Sequence, residues 1–248
     1  MEKVDILGAE ISCVDINEAV ENVRKVLESG GKASIFTPNP EILQLSYKNP
    51  ELKSALDDAY MLLPDGIGVV LAAKILGRPL KGRVTGIDFL HRLCELCAEQ
   101  RLGLFLLGAK EGVARKAAES LKKLYPQIEI CGVQNGYFGN GETESIIDKI
   151  NSSGAAVTAV CLGAPKQELF IHKYRDKIKS NICIGVGGAL DVISGNVKRA
   201  PKVFQKLGLE WLYRSICQPK RFVRLFSLPV FVINVFRQKL RHSESLRM

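Results

Sequence analysis

The chain has 248 residues, of which 46% are hydrophobic and 25% charged. That excludes a disordered chain and leaves room for one large α/β domain with an appendage, or two small domains. Formal net charge is +9, yet between Trp211 and Met248 eight lysines and arginines stand against Glu244 alone, so this segment carries +7 and the body is nearly neutral. Such asymmetry points to an anionic partner: nucleic acid, anionic lipid or a phosphorylated substrate.

The seven cysteines are odd in number and scattered, and Met1 to Asp5 is too short and charged for a signal peptide. A reducing, cytoplasmic compartment without disulfides is expected. Cys94 and Cys97 form one CxxC inside the helical run HRLCELCAEQ; with no second pair, it reads as a buried helix face rather than a metal or redox site. His91, His172 and His242 are too far apart to suggest a metal site.

In chain order, Val4 to Leu7 reads as a first strand. Asp15 followed by Glu18 starts a helix that runs to about Glu28, where Gly30-Gly31 stops it. Ala33 to Thr37 is a β-type run ending in TPNPEI, in which Asn39 can cap a helix and Pro40 can occupy its first turn. Thr37 and Asn39 therefore sit at a strand-to-helix junction, where they contact a ligand or simply cap. The apolar run Tyr60 to Leu63 then meets Pro64, Asp65, Gly66 and Gly68. A carboxylate there is held on a rigid element and faces a cleft, as a general base would, unless it caps the next helix.

A basic loop, GRPLKGRVTG, follows with Arg78, Lys81 and Arg83. Three further strand–turn–helix units begin at Gly103, Ala155 and Ile182, turning through Gly108, GAPKQE and GVGGALDVISG. Such repetition predicts an α/β fold: a Rossmann-like, mostly parallel sheet with helices on both faces. Ligands bind outside the carboxyl ends of such strands, so Thr37, Asp65, Gly108, Gln167 and Gly187 are expected to converge on one cleft. Residues 1–195 form the expected catalytic domain, and residues 196–248 a basic, amphipathic helical C-terminal appendage. The apolar run LFSLPVFVINVF is too short to span a bilayer, which takes about 20 residues. It reads as helices lying on an anionic membrane surface, or packed on the body or a second subunit, so a homo-oligomer stays open.

No DxD metal-binding motif is present, so no metal and no cofactor is expected, and a leaving diphosphate would be met by arginine, lysine or helix N-termini. Asp65 with a set of arginines would serve an inverting glycosyl transfer. FTPNPEI, LPDGIGVV, GRVTGIDF, LFLLGAKEGVA, GYF, LGAPKQE, GVGGALDVISGNVKRAP, GLEWLYR and PKRFVR occur in that order. Together, from about Val4 to about Arg224, they resemble the WecG/TagA/CpsF glycosyltransferase family, most of all its teichoic-acid branch.

That resemblance implies inverting, metal-independent transfer of N-acetylmannosamine from UDP-ManNAc to the 4-hydroxyl of a polyprenyl-diphosphate-GlcNAc lipid acceptor. The enzyme would sit peripherally on the inner face of the plasma membrane. Asp65 matches the general base, and Thr37 and Asn39 the polar motif beside a sugar. Arg83 and Gln167 match cleft residues for sugar and diphosphate, and Gly187 and Gly188 the turn near the nucleotide. Arg214, Arg221 and Arg224 match tail arginines that close over the diphosphate. Pro40 stands where a small residue is common in the family.

Three alternatives compete. A relative within the family would use UDP-N-acetylmannosaminuronic acid instead. An oxidoreductase would show GxGxxG and an acidic ribose binder, and neither is intact. A nucleic-acid binder would need stacking aromatics or a groove-reading helix, whereas the tail's aromatics alternate with aliphatics; no nucleic acid is expected as a partner.

Overall fold

The computed structural model describes residues 1–217 and 227–245. The chain opens with β1 (Lys3–Ile6) and β2 (Ala9–Ser12), an antiparallel pair separate from the main sheet, with Ile6 opposite Ala9. The expected first strand is thus half of a hairpin. Leu7 and Gly8 form its two-residue loop with φ of 53° and 85°, the left-handed pair that matches strand twist.

Helix α1 (Ile16–Glu28) starts on a reciprocal cap: the Asp15 carboxylate accepts from the Asn17 and Glu18 amides, and Glu18 accepts from the Asp15 amide. After it come β3 (Ala33–Phe36), α2 (Pro40–Ser46), α3 (Pro50–Asp57), β4 (Met61–Leu62), α4 (Ile67–Ile75) and α5 (Gly86–Gln100). Asn39 caps α2, accepting from the Ile42 amide at 3.0 Å, with Pro40 in the first turn, as the sequence predicts. The chain continues through β5 (Gly103–Gly108), α6 (Val113–Leu124), β6 (Glu129–Gln134), α7 (Thr143–Ser152), β7 (Val157–Cys161), α8 (Lys166–Tyr174), β8 (Ile182–Gly185) and α9 (Ala189–Ile193). Last come α10 (Lys202–Lys206), α11 (Glu210–Cys217) and α12 (Ser227–Ser245).

Six strands make one sheet in the order β4-β3-β8-β7-β5-β6, and each neighbouring pair is parallel. The period of two divides each strand between two cores. Leu104 and Leu106 join the core under α1, α5, α6 and α9, whereas Phe105 and Leu107 join the one under α2, α3, α4, α7, α8 and the hairpin. Helices therefore cover both faces, which is why the strands read as unbroken apolar runs. Cys94 and Cys97 lie fully buried on α5 in the first core; burial pushes the Cys97 thiol up to about 12 and the Cys94 thiol beyond that, so both stay protonated.

The tail does not stand apart from the body. Phe231 and Val235 of α12 are buried in the second core. Asn234 Nδ2 donates to Gln44 Oε1 on α2 at 3.0 Å, and Gln238 Oε1 accepts from the Leu7 amide in the hairpin turn at 2.9 Å. The opposite face of α12 is apolar and exposed, through Val232, Ile233, Phe236 and Leu240. Among the described residues no helix is long and apolar enough to cross a membrane.

Candidate active site

Strand order dictates where space opens. The chain leaves β3 toward β4 on one side, while β7, β5 and β6 lie on the other, with β8 inserted beside β3. Loops leaving β3, β4 and β8 diverge at this switch point, and a cavity of about 380 Å³ lies above them. Its floor is Asn39, Pro40 and Glu41 after β3, Asp65 to Gly68 after β4, and Val186 and Ala189 after β8. Arg83, Thr85 and Ile87 form a side wall, and Glu210, Trp211, Leu228 and Val232 from α11 and α12 form the roof.

Asp65 is partly exposed in this cavity, and its amide donates to Pro38 O at 3.2 Å, which ties the β4 loop to the β3 loop. It does not cap α4. The cap position belongs to Gly66, whose φ of +97° turns the chain sharply between strand and helix, and no side chain bonds to the α4 amides there. The loop then packs backbone against ring: a Cβ on Gly68 would lie 2.6 Å from Pro40 Cγ. Pro40 therefore fits because Gly68 leaves it room.

The wall opposite Asp65 is a charge clamp. Arg83 bonds Glu210 Oε2 at 3.1 Å and Gln205 O at 2.8 Å. Arg199 reaches the other Glu210 oxygen at 3.3 Å and forks onto both oxygens of Asp88, at 2.7 and 2.8 Å. Thr85 caps α5 by accepting from the Asp88 amide, and its hydroxyl donates to Asp88 Oδ2 at 2.6 Å. Two cations and two carboxylates thus alternate among the loop before α5, α5 itself, the VKRAP segment and α11. Burial pushes the Asp88 carboxyl up, but Arg199 and Thr85 outweigh it and hold the group below its ordinary value. Burial works against the Arg199 charge, and Asp88 and Glu210 more than restore it.

The predicted residues divide into those that line the cavity and those that hold it. Asp65, Asn39 and Arg83 line it. Thr37 is buried and donates its hydroxyl proton to Gly185 O at 3.1 Å, joining β3 to β8. Gln167 is also buried: Oε1 accepts from the Gly187 amide, Nε2 donates to Glu168 Oε1, both at 2.9 Å. It props the Gly187 turn (φ +55°), and Gly188 follows as the cap residue of α9. Gly108 does not open into the cavity, because its turn closes on the Cys161 backbone, 2.4 Å from where a Cβ would stand. Arg214 belongs to α11, but its side chain is outside the described residues, as are Arg221 and Arg224 altogether. Asp88, Arg199 and Glu210 are not singled out by the sequence reading, although GRVTGIDF, VKRAP and GLEWLYR, the segments that carry them, each hold charged residues. Among the described residues, no group of three or more His, Cys, Asp or Glu is arranged to hold a metal ion.

The model of the glycosyl transferase WecG/TagA/CpsF family matches residues 4–245. The chain belongs to that family. Several relatives carry the name N-acetylglucosaminyldiphosphoundecaprenol N-acetyl-beta-D-mannosaminyltransferase. One from Bacillus spizizenii is 39% identical, over 86% of this chain and 82% of the relative. One from Bacillus subtilis is 36% identical, over 84% and 80%. One from Staphylococcus aureus strain NCTC 8325 is 33% identical, over 96% and 93%. Asp65, Arg83 and the α11 and α12 residues that line the first cavity all lie within the matched span.

Proposed function

We propose that the protein transfers N-acetylmannosamine from UDP-ManNAc to GlcNAc-diphospho-undecaprenol, forming the linkage disaccharide of wall teichoic acid. The observation that carries this reading is the cavity itself: a carboxylate on a rigid loop faces an arginine wall beneath an apolar roof. Relatives of the stated name supply the sugar and the acceptor.

In the proposed step, Asp65 takes the proton from the acceptor 4-hydroxyl as its oxygen attacks C1 of the donor sugar. The bond from C1 to the diphosphate oxygen breaks, and UDP leaves with the electron pair and the added negative charge. A single displacement inverts the anomeric centre. Arg83 and the tail arginines Arg214, Arg221 and Arg224 neutralise the leaving diphosphate. Asn39 orients a sugar, while Thr37, Gln167, Gly187 and Gly188 set the turn against which the nucleotide rests. Apolar Leu71, Trp211, Leu228 and Val232 line the cavity and suit the first isoprene units of a lipid acceptor. The exposed apolar face of α12 continues outward from Val232 and suits the surface of an anionic membrane on which that acceptor lies.

The test is UDP release from UDP-ManNAc with and without a short-chain GlcNAc-diphosphate-lipid. Acceptor-dependent release that collapses in Asp65→Asn supports donor, acceptor and base together. Release from the uronate alone would move the protein to another branch of the family.

A further inference from the structure

A second cavity, of about 460 Å³, lies away from the cleft, between α12, the β1–β2 turn and the α2–α3 junction. Its charged lining is Arg237, Arg241, Lys53 and Asp5. Lys53 is already held by Asp57, and Asp5 accepts from the Gly8 amide at 2.7 Å and from Gln238 Nε2 at 3.2 Å. Arg237 and Arg241 differ: among the described residues neither makes a hydrogen bond or an ion pair. They stand one helical turn apart on the same flank of α12, where two like charges repel unless an anion lies between them. Guanidinium forks match the oxygens of a phosphate in pairs.

Position identifies the source of that phosphate. Each arginine directly follows an exposed apolar residue, Phe236 (49% exposed) before Arg237 and Leu240 (64%) before Arg241. The forks therefore sit about 100° round the helix from the apolar strip, the offset between acyl chains and headgroups for a helix lying in an interface. Tyr47, 57% exposed, stands at the rim, and tyrosine favours the headgroup level.

We propose that this cavity binds the phosphodiester of an anionic phospholipid headgroup, with Arg237 and Arg241 on its oxygens. The site rests on the membrane-surface reading above and deepens it: the helix is docked by a specific headgroup rather than by diffuse charge. It also orients the cleft, because α12 roofs the first cavity with Leu228 and Val232 and the second with Arg237 and Arg241.

The experiment is flotation of the full chain with vesicles of phosphatidylcholine, alone or mixed with phosphatidylglycerol. Arg237→Lys with Arg241→Lys keeps both charges and removes the forks; Phe231 and Val235 still dock the helix. The site requires this pair to weaken binding to the mixed vesicles about tenfold, since bidentate phosphate recognition is lost. Lys239→Gln, which removes a charge from a residue that does not line the cavity, should weaken it about fivefold, the diffuse contribution of one cation. Diffuse attraction predicts no loss in the lysine pair, and wild-type affinity there overturns the headgroup site while leaving the membrane reading intact. Absence of wild-type binding to either vesicle overturns both. Inorganic phosphate that shifts the Arg237 and Arg241 Nε resonances while no vesicle binds would mark a free-phosphate site and overturn the lipid assignment.

Discussion

The two walls of the cleft are built on different physical terms. The Asp65 wall is backbone: short loops leave parallel strands whose hydrogen bonds fix their ends, and Gly66 and Gly68 let them pack closely. The facing wall is side-chain charge, held by Arg83, Glu210, Arg199 and Asp88 across three segments far apart in sequence. The proposed base gains from a fixed position, whereas cations proposed to meet a diphosphate can be paired with carboxylates before it arrives. The difference teaches that one wall is set by the sheet's backbone and the other by side-chain charge pairing between distant segments.

The comparison breaks most visibly at Asp65. Replacing it with Asn should lower kcat by about 10²–10⁴, the usual contribution of a general base, with the unfolding midpoint unchanged because the backbone holds the loop. A large loss of stability instead would mean that the carboxylate supports the wall. Glu210→Ala should act the other way round. It leaves Arg83, 19% exposed, without its carboxylate and Arg199, 25% exposed, with Asp88 alone, and should cost about 2 kcal/mol in urea unfolding. That is below the cost for a fully buried pair, because residual exposure lets water take up part of the charge. An unchanged midpoint would show that the clamp contributes nothing to the fold.

Smaller effects sharpen the contrast through pH. The Asp88 carboxyl is held below its ordinary value in the folded chain, so its stabilisation is complete above that ordinary value and is lost as pH falls through the folded one. Thermal midpoints of wild type and Asp88→Asn should differ at neutral pH and converge under acid; a constant gap would remove Asp88 from the clamp's charge balance. Glu168 has the opposite sign. Burial raises its carboxyl, Gln167 only partly offsets this, and Oε2 has no hydrogen-bond partner among the described residues. The folded chain therefore keeps a proton that the unfolded chain releases, and stability falls as pH rises from the ordinary glutamate value toward the raised one. Glu168→Gln should gain on wild type across that interval in a pH series of melting curves. A gap that shrinks with pH would show the carboxyl ionised without penalty.

Much of the first wall was legible in the sequence. LPDGIGVV marks a strand end and a tight turn by residue type alone, and TPNPEI places Asn39 and Pro40 at a helix start with the correct cap. Local rules suffice there because the conformation depends on neighbours in the chain. Gly108 looked the same and was different: its turn is filled by the Cys161 backbone and by Gly136, strands away in sequence. Thr37 directly follows β3 and Gln167 lies in the first turn of α8, and whether such a polar side chain faces a ligand or ties the backbone together depends on what lies across the sheet.

By itself the sequence determined the parallel α/β class, the caps and turns of the early helices, the buried CxxC face and the basic, apolar tail. These follow from periodicity, from backbone chemistry at Gly, Pro and Asn, and from charge counts, all of which are local or additive. Tertiary structure alone decided that the first strand pairs in a hairpin outside the sheet and that only three strand ends open into the cleft. It also decided that Arg83 is paired with Glu210, and that α12 buries one face while leaving Arg237 and Arg241 without a partner among the described residues, beside a cavity. The physical reason is common to all four: each depends on which distant segments meet, and strand order and helix docking set that through packing and charge pairing that no stretch of sequence carries alone.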